Sequence, residues 1–280
     1  MKNILGIGKA GCHVVGLLSE RKEYNPYAIT NSDSNIKQNF ALPTLSSPED
    51  YEGLDIDELV SFLGPIRDNV SIFLCGASIC TGMSLRVMEA LYKKGVRIEV
   101  IYFKPEIEVL SETKRLQERV CRNVLQQYAR SGLFRKITLV SNEVLESLAG
   151  PTSVIDYYKR INTVFTNSYY MIDVLKNTKP ITSTFSNLHE SCRISTMGVG
   201  SVAEDEAMFY PLKQEVDVRY YFGINEEKLK TEENLLRTIT DKIKSRITDE
   251  TKVSFAIYPT KYEQDYIYVE YFSPKVQESA

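Results

Sequence analysis

Residues 70–91 read VSIFLCGASICTGMSLRVMEAL, and this stretch narrows the possible folds more than any other. Val70, Ile72, Phe73 and Leu74 form an apolar run that reads as a buried strand. A loop of mostly small residues, Gly76-Ala77-Ser78-Ile79-Cys80-Thr81-Gly82, then opens into an amphipathic helix. A buried strand that feeds a helix through such a loop gathers free backbone N–H groups and the helix N-terminus at one point. That geometry suits an anion such as phosphate. The chain start repeats the design: Asn3–Gly8 reads as a strand, and Lys9-Ala10-Gly11 leads into a helix over Cys12–Ser19. Two such turns in one domain predict a nucleotide held between them.

Strand and helix signals alternate from residue 1 to about 140, which predicts a parallel α/β sheet. Pro26–Thr30 reads as the second strand and ends in Asn31-Ser32-Asp33-Ser34-Asn35. Residues 40–57 read as loop, a short helix is expected at Asp57–Phe62, and Val96–Phe103 and Lys136–Val140 read as further strands. In the helix expected over Ser111–Arg130, Leu116, Val120, Val124 and Tyr128 recur every fourth residue and predict one buried face. The longest helical pattern spans 152–176, with Val154, Ile155, Tyr158, Ile161, Phe165, Tyr169, Ile172 and Leu175 on its stripe. Residues 177–200 read as linker and irregular structure. Beyond 215 the order is strand, helix (Leu235, Leu236, Ile239, Ile243), strand, strand, which predicts a smaller α+β domain. The expected layout is a nucleotide-binding domain at 1–150, a central helix and linker at 151–180, a second domain at 181–273 and a disordered tail at 274–280.

The net charge of −3 carries no electrostatic footprint for nucleic acid or an anionic membrane. No run of 18 apolar residues is present, and Met1-Lys2-Asn3 leads into a strand without a signal-peptide pattern. Five scattered cysteines (12, 75, 80, 121, 192) predict free thiols and a cytoplasmic, reducing setting. With two histidines and no CxxC, no metal site built from protein side chains is expected.

Gly6-Ile7-Gly8-Lys9-Ala10-Gly11 satisfies GxGxxG, whose usual reading is a dinucleotide site with an acidic residue after the second strand. Asp33 sits near that place. A dinucleotide-binding oxidoreductase is therefore one reading, but it leaves the turn at 76–82 unexplained, and no catalytic His, Lys or Tyr constellation stands beside the site.

The series of motifs resembles the tubulin/FtsZ superfamily of GTP-binding filament proteins. GIGKAGCHVVGLL (6–18) is similar to the first phosphate loop, and AITNSDSN (28–35) to the FtsZ stretch AVNTDAQ. CGASICTGMS (75–84) aligns with AGxGGGTGTG, keeping Gly76, Thr81 and Gly82. KGVRIEVIYFKP (94–105), KITLVSNEVL (136–145), MGVGSVAEDEA (197–207) and the final strand pair at 252–272 follow in the family's order. The resemblance implies a Rossmann-like parallel-sheet GTP-binding domain, a long central helix and a smaller α+β domain. It implies GTP or GDP as ligand, with Mg2+ as a candidate companion ion. The implied contacts are Gly8, Lys9, Ala10, Gly11, Cys12, Asn31, Asp33, Gly76, Ala77, Ser78, Thr81, Gly82 and Asn142, with Tyr158 and Asn162 at the base. An aromatic can stack on the base, and an amide can both donate and accept at the guanine edge. From the residues alone, Tyr158 reads first as a core position on the apolar stripe and Asn162 as a partly exposed polar one; base recognition is what the resemblance adds.

The departures from the family pattern bear on activity. Ile79 and Cys80 stand where the family has glycines, and the Gly/Pro-rich γ-phosphate loop has no counterpart in 40–57. The family's carboxylate-bearing NxDxxD window aligns with Ser183-Thr184-Phe185-Ser186-Asn187-Leu188, which holds no acid. Glu190 is the nearby candidate substitute, because hydroxyls are poor bases at neutral pH. The resemblance thus implies a GTP-binding protein that self-associates head-to-tail into filaments, with weak or absent hydrolysis. The alternative is a non-polymerising adaptor that kept the fold and lost the nucleotide cycle.

Overall fold

The first strands carry short, nearly continuous buried apolar runs at 4–7, 27–29 and 72–74, as strands covered on both faces do. In a computed structural model that describes residues 1–278, they build one of two units. Residues 1–166 with 276–278 form the first, and Asn167–Lys275 the second. The first unit contains β1 (Lys2–Ile7), α1 (Gly8–Leu18), β2 (Tyr24–Thr30), β3 (Asn39–Ala41), α2 (Pro48–Glu52) and α3 (Asp57–Phe62). There follow β4 (Asn69–Cys75), a 3-10 turn (Ile79–Met83), α4 (Ser84–Lys93), β5 (Arg97–Lys104), α5 (Glu112–Arg130), β6 (Lys136–Ser141) and α6 (Asn142–Ala149). The strands are parallel in the order β3-β2-β1-β4-β5-β6. The chain moves outward from β1 in one direction and then in the other, so the order reverses between β1 and β4. In open α/β sheets that reversal opens a crevice at the carboxyl ends of the strands.

α1 closes tightly on this reversal. A Cβ at Gly11 would overlap the Phe73 carbonyl oxygen of β4, so only glycine lets the helix lie this close. Cys12, next in the chain, points into the same seam. Its Sγ lies 3.4 Å from the Gly6 carbonyl oxygen, and burial pushes its thiol up to about 12.

The segment expected to be loop at 40–57 contains β3 and α2. Ser47 caps α2 in a reciprocal capping box with Asp50, and Pro48 occupies the first turn, where its missing N–H costs nothing. The face of α5 is also not the expected one. Leu116 and Val120 are each 52% exposed, whereas Glu118, Arg122 and Gln126 are buried at i, i+4 and i+8. The cause is a partner invisible in a local window. Main-chain groups of Gln277 return to α5: Arg122 Nη1 donates to its carbonyl at 2.7 Å, and its N–H donates to Gln126 Oε1 at 2.7 Å. Arg122 also pairs with Glu118 at 2.9 Å, and Tyr102 donates to the same carboxylate at 3.0 Å. Residues 274–278 of the expected disordered tail are thus described, with Gln277 buried; 279–280 lie outside the described residues.

α7 (Tyr157–Lys176) runs from the first unit into the second. It starts five residues later than expected. Ser153 and Asp156 close a turn before it, leaving Val154 and Ile155 94% and 95% exposed rather than on the buried stripe. Phe165 anchors its first half on β5 through Phe103, with ring centroids 4.9 Å apart.

The second unit holds β7 (Thr182–Ser183), β8 (Ile194–Gly200), β9 (Ala207–Met208), β10 (Asp217–Asn225), α8 (Glu226–Thr231), α9 (Leu235–Arg246), β11 (Lys252–Thr260) and β12 (Tyr266–Ser273). Its strands run β8-β12-β10-β11-β7, antiparallel except for β10 with β11, and β9 pairs with β8. β7 and β8 occupy the stretch expected to be irregular. On α9, Leu235, Ile239 and Ile243 are buried as expected, while Leu236 faces out. Glu270 of β12 is buried and held by Lys176 Nζ and Tyr221 OH, each at 2.7 Å.

Two outcomes follow. Arg122→Ala removes the buried cation that pairs with Glu118 and one of the two donors to the Gln277 carbonyl, and should cost about 3–5 kcal/mol. Leu116→Ala and Val120→Ala should each stay within about 0.5 kcal/mol. Urea unfolding midpoints distinguish these from the reverse order that an apolar buried face would give. Because the Cys12 thiol stays protonated and enclosed, iodoacetamide at pH 8 should leave it unmodified in the folded protein and alkylate it after denaturation, as read by peptide mass spectrometry.

Candidate nucleotide site

The two turns singled out in the sequence meet at the strand-order reversal. Gly8 opens α1 with φ +71°, a left-handed backbone that favours glycine, and a Cβ there would meet Ser78 Oγ at 2.5 Å. The turn after β1 and the turn after β4 therefore abut. Lys9 and Ala10 are exposed on the first turn of α1, and Gly11 and Cys12 face inward. Asn31 and Asp33 follow the end of β2, next to β1 in the sheet, with Asp33 exposed. Asn142 opens α6 at the end of β6 and is half-buried. Ends of β1, β2, β4 and β6 thus place their following residues along one edge of the sheet.

The turn after β4 is more closed than a glycine-rich loop. Ser78 N–H donates to Cys75 O at 3.1 Å and Thr81 N–H to Ser78 O at 3.0 Å. Thr81 is buried, donating its hydroxyl to Ser78 O at 2.7 Å. Gln117, which the sequence did not flag, braces the turn from α5: its Nε2 donates to Ser78 O at 2.8 Å and to Thr81 Oγ1 at 3.2 Å. Gly76 is pressed against the Tyr102 ring. Gly82 was expected to admit phosphate; instead its open side is taken by the Pro48 carbonyl at the start of α2. Ala77 remains half-buried beside the turn.

Tyr51 of α2 ties this turn to the end of β2. Its hydroxyl accepts from Asn31 Nδ2 at 3.3 Å and donates to Pro43 O at 2.7 Å, while Cys80 Sγ lies 3.4 Å from Asn31 Oδ1. No motif in the sequence marks Tyr51 or Gln117, because each acts through a contact more than 15 residues away.

At the start of α7 the two base candidates exchange their expected environments. Tyr158 is 66% exposed, edge-on to Tyr157 with centroids 5.1 Å apart. Asn162 is buried, and its Nδ2 lies 2.7 Å from His13 Nδ1 on α1. A cavity of about 350 Å3 between α6 and the start of α7 is lined by Glu146, Gly150, Pro151, Thr152, Tyr157 and Ile161, and by neither base candidate. A second cavity of about 650 Å3 lies in the other unit, between the 199–204 segment and α8–α9. Neither touches the two turns.

Thr182 and Ser183 of the acid-free window pair with β11, Thr184 N–H donates to Phe255 O at 2.8 Å, and Glu190 is exposed. Among the described residues, no group of three or more His, Cys, Asp or Glu is placed to hold a metal ion, and no helix is long and apolar enough to cross a membrane.

No protein-family model matches the chain, and no curated protein matches it significantly. Solved structures do match in fold. A GTPγS-form protofilament of TubZ from Bacillus thuringiensis serovar israelensis superposes with a TM-score of 0.75 at 14% identity, over 97% of this chain and 86% of that one. An empty FtsZ dimer from M. jannaschii gives 0.71 at 14% identity, over 97% and 88%. The GTPγS-bound protofilament of CetZ2 from Haloferax volcanii gives 0.76 at 12% identity, over 98% and 94%. The chain has the tubulin/FtsZ-like fold, a mixed α/β architecture around a mostly parallel sheet.

Proposed function

We propose that this protein binds a guanine nucleotide at the edge where its two turns meet, associates head-to-tail with copies of itself, and hydrolyses GTP slowly or not at all. The observation that carries the reading is the contact of Gly8 with Ser78 at the strand-order reversal. Fold likeness to TubZ and CetZ2 structures described as GTPγS forms supports the ligand class.

On this reading Lys9 supplies a positive charge and the N-terminal amides of α1 meet the phosphates. Asn31, Asp33 and Asn142 are placed for the ribose and base edge, and the exposed Tyr158 offers a face for stacking beside Asn162. The left-handed Gly8 leaves backbone rather than a side chain at the junction, which fits a phosphate. A Mg2+ ion would take most of its ligands from phosphate oxygens and water. Cys12, Thr81 and Gly82 act as scaffold, since their side chains or open faces are used inside the protein.

The segment expected to meet the neighbouring subunit's nucleotide, 178–195, has hydroxyls where a carboxylate would polarise water. Its charges are Lys179, Glu190 and Arg193. A surface of low charge costs little to desolvate, so association does not require catalysis. A heterologous contact of this kind propagates unless it closes into a ring. One observation favours the adaptor reading. The Pro48 carbonyl against Gly82, with two loop amides already bonded, leaves the second turn less able to accept an anion.

Calorimetric titration with GTP, GDP, ATP and NAD separates the readings. Guanine nucleotides should bind most tightly. Equal or tighter NAD binding would favour the dinucleotide reading, and no binding at all the adaptor. Phosphate release should remain far below the roughly 10 per second of a typical enzyme. Should turnover be measurable, Glu190→Ala removes it if Glu190 is the stand-in base and leaves it intact otherwise. Light scattering and electron microscopy with a non-hydrolysable GTP analogue should show nucleotide-dependent assemblies; a strictly monomeric nucleotide-bound protein at high concentration would contradict the self-association.

A further inference from the structure

His13 lies within the 6–18 stretch but is not among the residues the resemblance assigns to the ligand, yet it makes the 2.7 Å contact that joins α1 to α7 across 149 residues of sequence. The partner atom is the amide nitrogen of Asn162. An NH2 group only donates, so His13 Nδ1 must accept, and the imidazole is neutral with its proton on Nε2. Burial and the facing charges of Lys9, on its own helix, and Lys159, on α7, hold the His13 pKa below its ordinary value and favour this neutral state. With Nδ2 committed to His13, the other edge of the Asn162 amide is its Oδ1 acceptor.

We propose that His13 is a positioning residue that sets base preference, by fixing the Asn162 amide so that the nucleotide meets its carbonyl oxygen and not its NH2 group. This rests on the reading that the base lies between Tyr158 and Asn162. Guanine offers N–H donors at N1 and the 2-amino group, and a fixed acceptor is complementary to them. Adenine offers a lone pair at N1, which a fixed acceptor repels. Sites that present a committed buried polar group reject the mismatched ligand more strongly than they reward the matched one. A protonated His13 would donate from Nδ1, turn the amide about its terminal bond, and bring NH2 to the base. The preference should then decline as pH falls through the titration of the imidazole, below its usual range.

The test is the ratio of GTP to ATP affinity by calorimetry from pH 7.5 to pH 5.0, for the full chain. The ratio cancels the titration of the phosphates, which both ligands share. In the wild type it should favour GTP at pH 7.5 and drop about fivefold to tenfold toward pH 5.0, the scale of one hydrogen bond. His13→Phe, which keeps a ring without an acceptor, should show the low ratio at every pH. His13→Asn, which keeps an acceptor near the Nδ1 position and cannot titrate, should hold the high ratio at every pH. A wild-type ratio independent of pH overturns the proposal without needing any variant to fold. An unchanged ratio in His13→Phe, or a His13→Asn profile that follows the wild type, overturns it as well while leaving guanine binding intact. If the wild type binds no guanine nucleotide, the functional reading fails and the role of His13 with it.

Discussion

The approach of α1 to the β1–β4 seam is the constraint from which the first unit follows. Gly11 against the Phe73 carbonyl sets the distance, and the left-handed Gly8 sets the angle at which the helix leaves β1. Any side chain at Gly11 would push α1 off β4. The Cys12 thiol would lose its carbonyl partners, Gly8 would part from Ser78, and His13 would move away from Asn162. The sheet edge is a candidate site because a helix packs this closely on the two strands between which the order reverses.

The second turn shows how the same geometry can be kept with different chemistry. A glycine-rich loop leaves its amides to a ligand; here the Ser78 and Thr81 N–H groups are spent on Cys75 O and Ser78 O within the turn, while Gln117 and the start of α2 brace it from outside. The turn is rigid and braced from α5, α2 and β2 together. Rigidity of this kind costs little reorganisation on binding and narrows what can be bound. The hydroxyl-rich 182–188 segment fits the same picture, holding its place through β-pairing to β11 while lacking a group that could activate water.

The alternating strand–helix order, the strand at 69–75 and the late α+β unit were legible because each depends on local pattern. The misread places share one cause: their partners are distant in sequence. The buried face of α5 is polar because the main chain of Gln277 must be satisfied, and no window around Leu116 or Val120 contains that information. β8 has the sequence ISTMGVG, whose serine, threonine and glycines resemble linker until β12 pairs with it. Among the candidates, Gly8 and Gly11 stand out by the GxGxxG spacing, and the fold uses both at close approaches. Tyr158 and Asn162 take environments opposite to those the apolar stripe predicts, because the helix begins only at Tyr157, after the exposed Val154 and Ile155. α2 was legible in principle: Ser47-Pro48-Glu49-Asp50 is a capping sequence, hidden by its short helix.

The contact between Arg122 and Gln277 spans 155 residues and has a consequence for the order of events during synthesis. The first unit is not continuous in the chain, since its last segment follows the whole of the second. A ribosome that has released residues 1–166 has delivered all six parallel strands but not the segment that covers the polar stripe of α5. Until residue 277 emerges, Arg122 Nη1 and the Gln126 amide lack their main-chain partner, and α5 can dock only provisionally. The second unit is therefore made before the first has received its last segment.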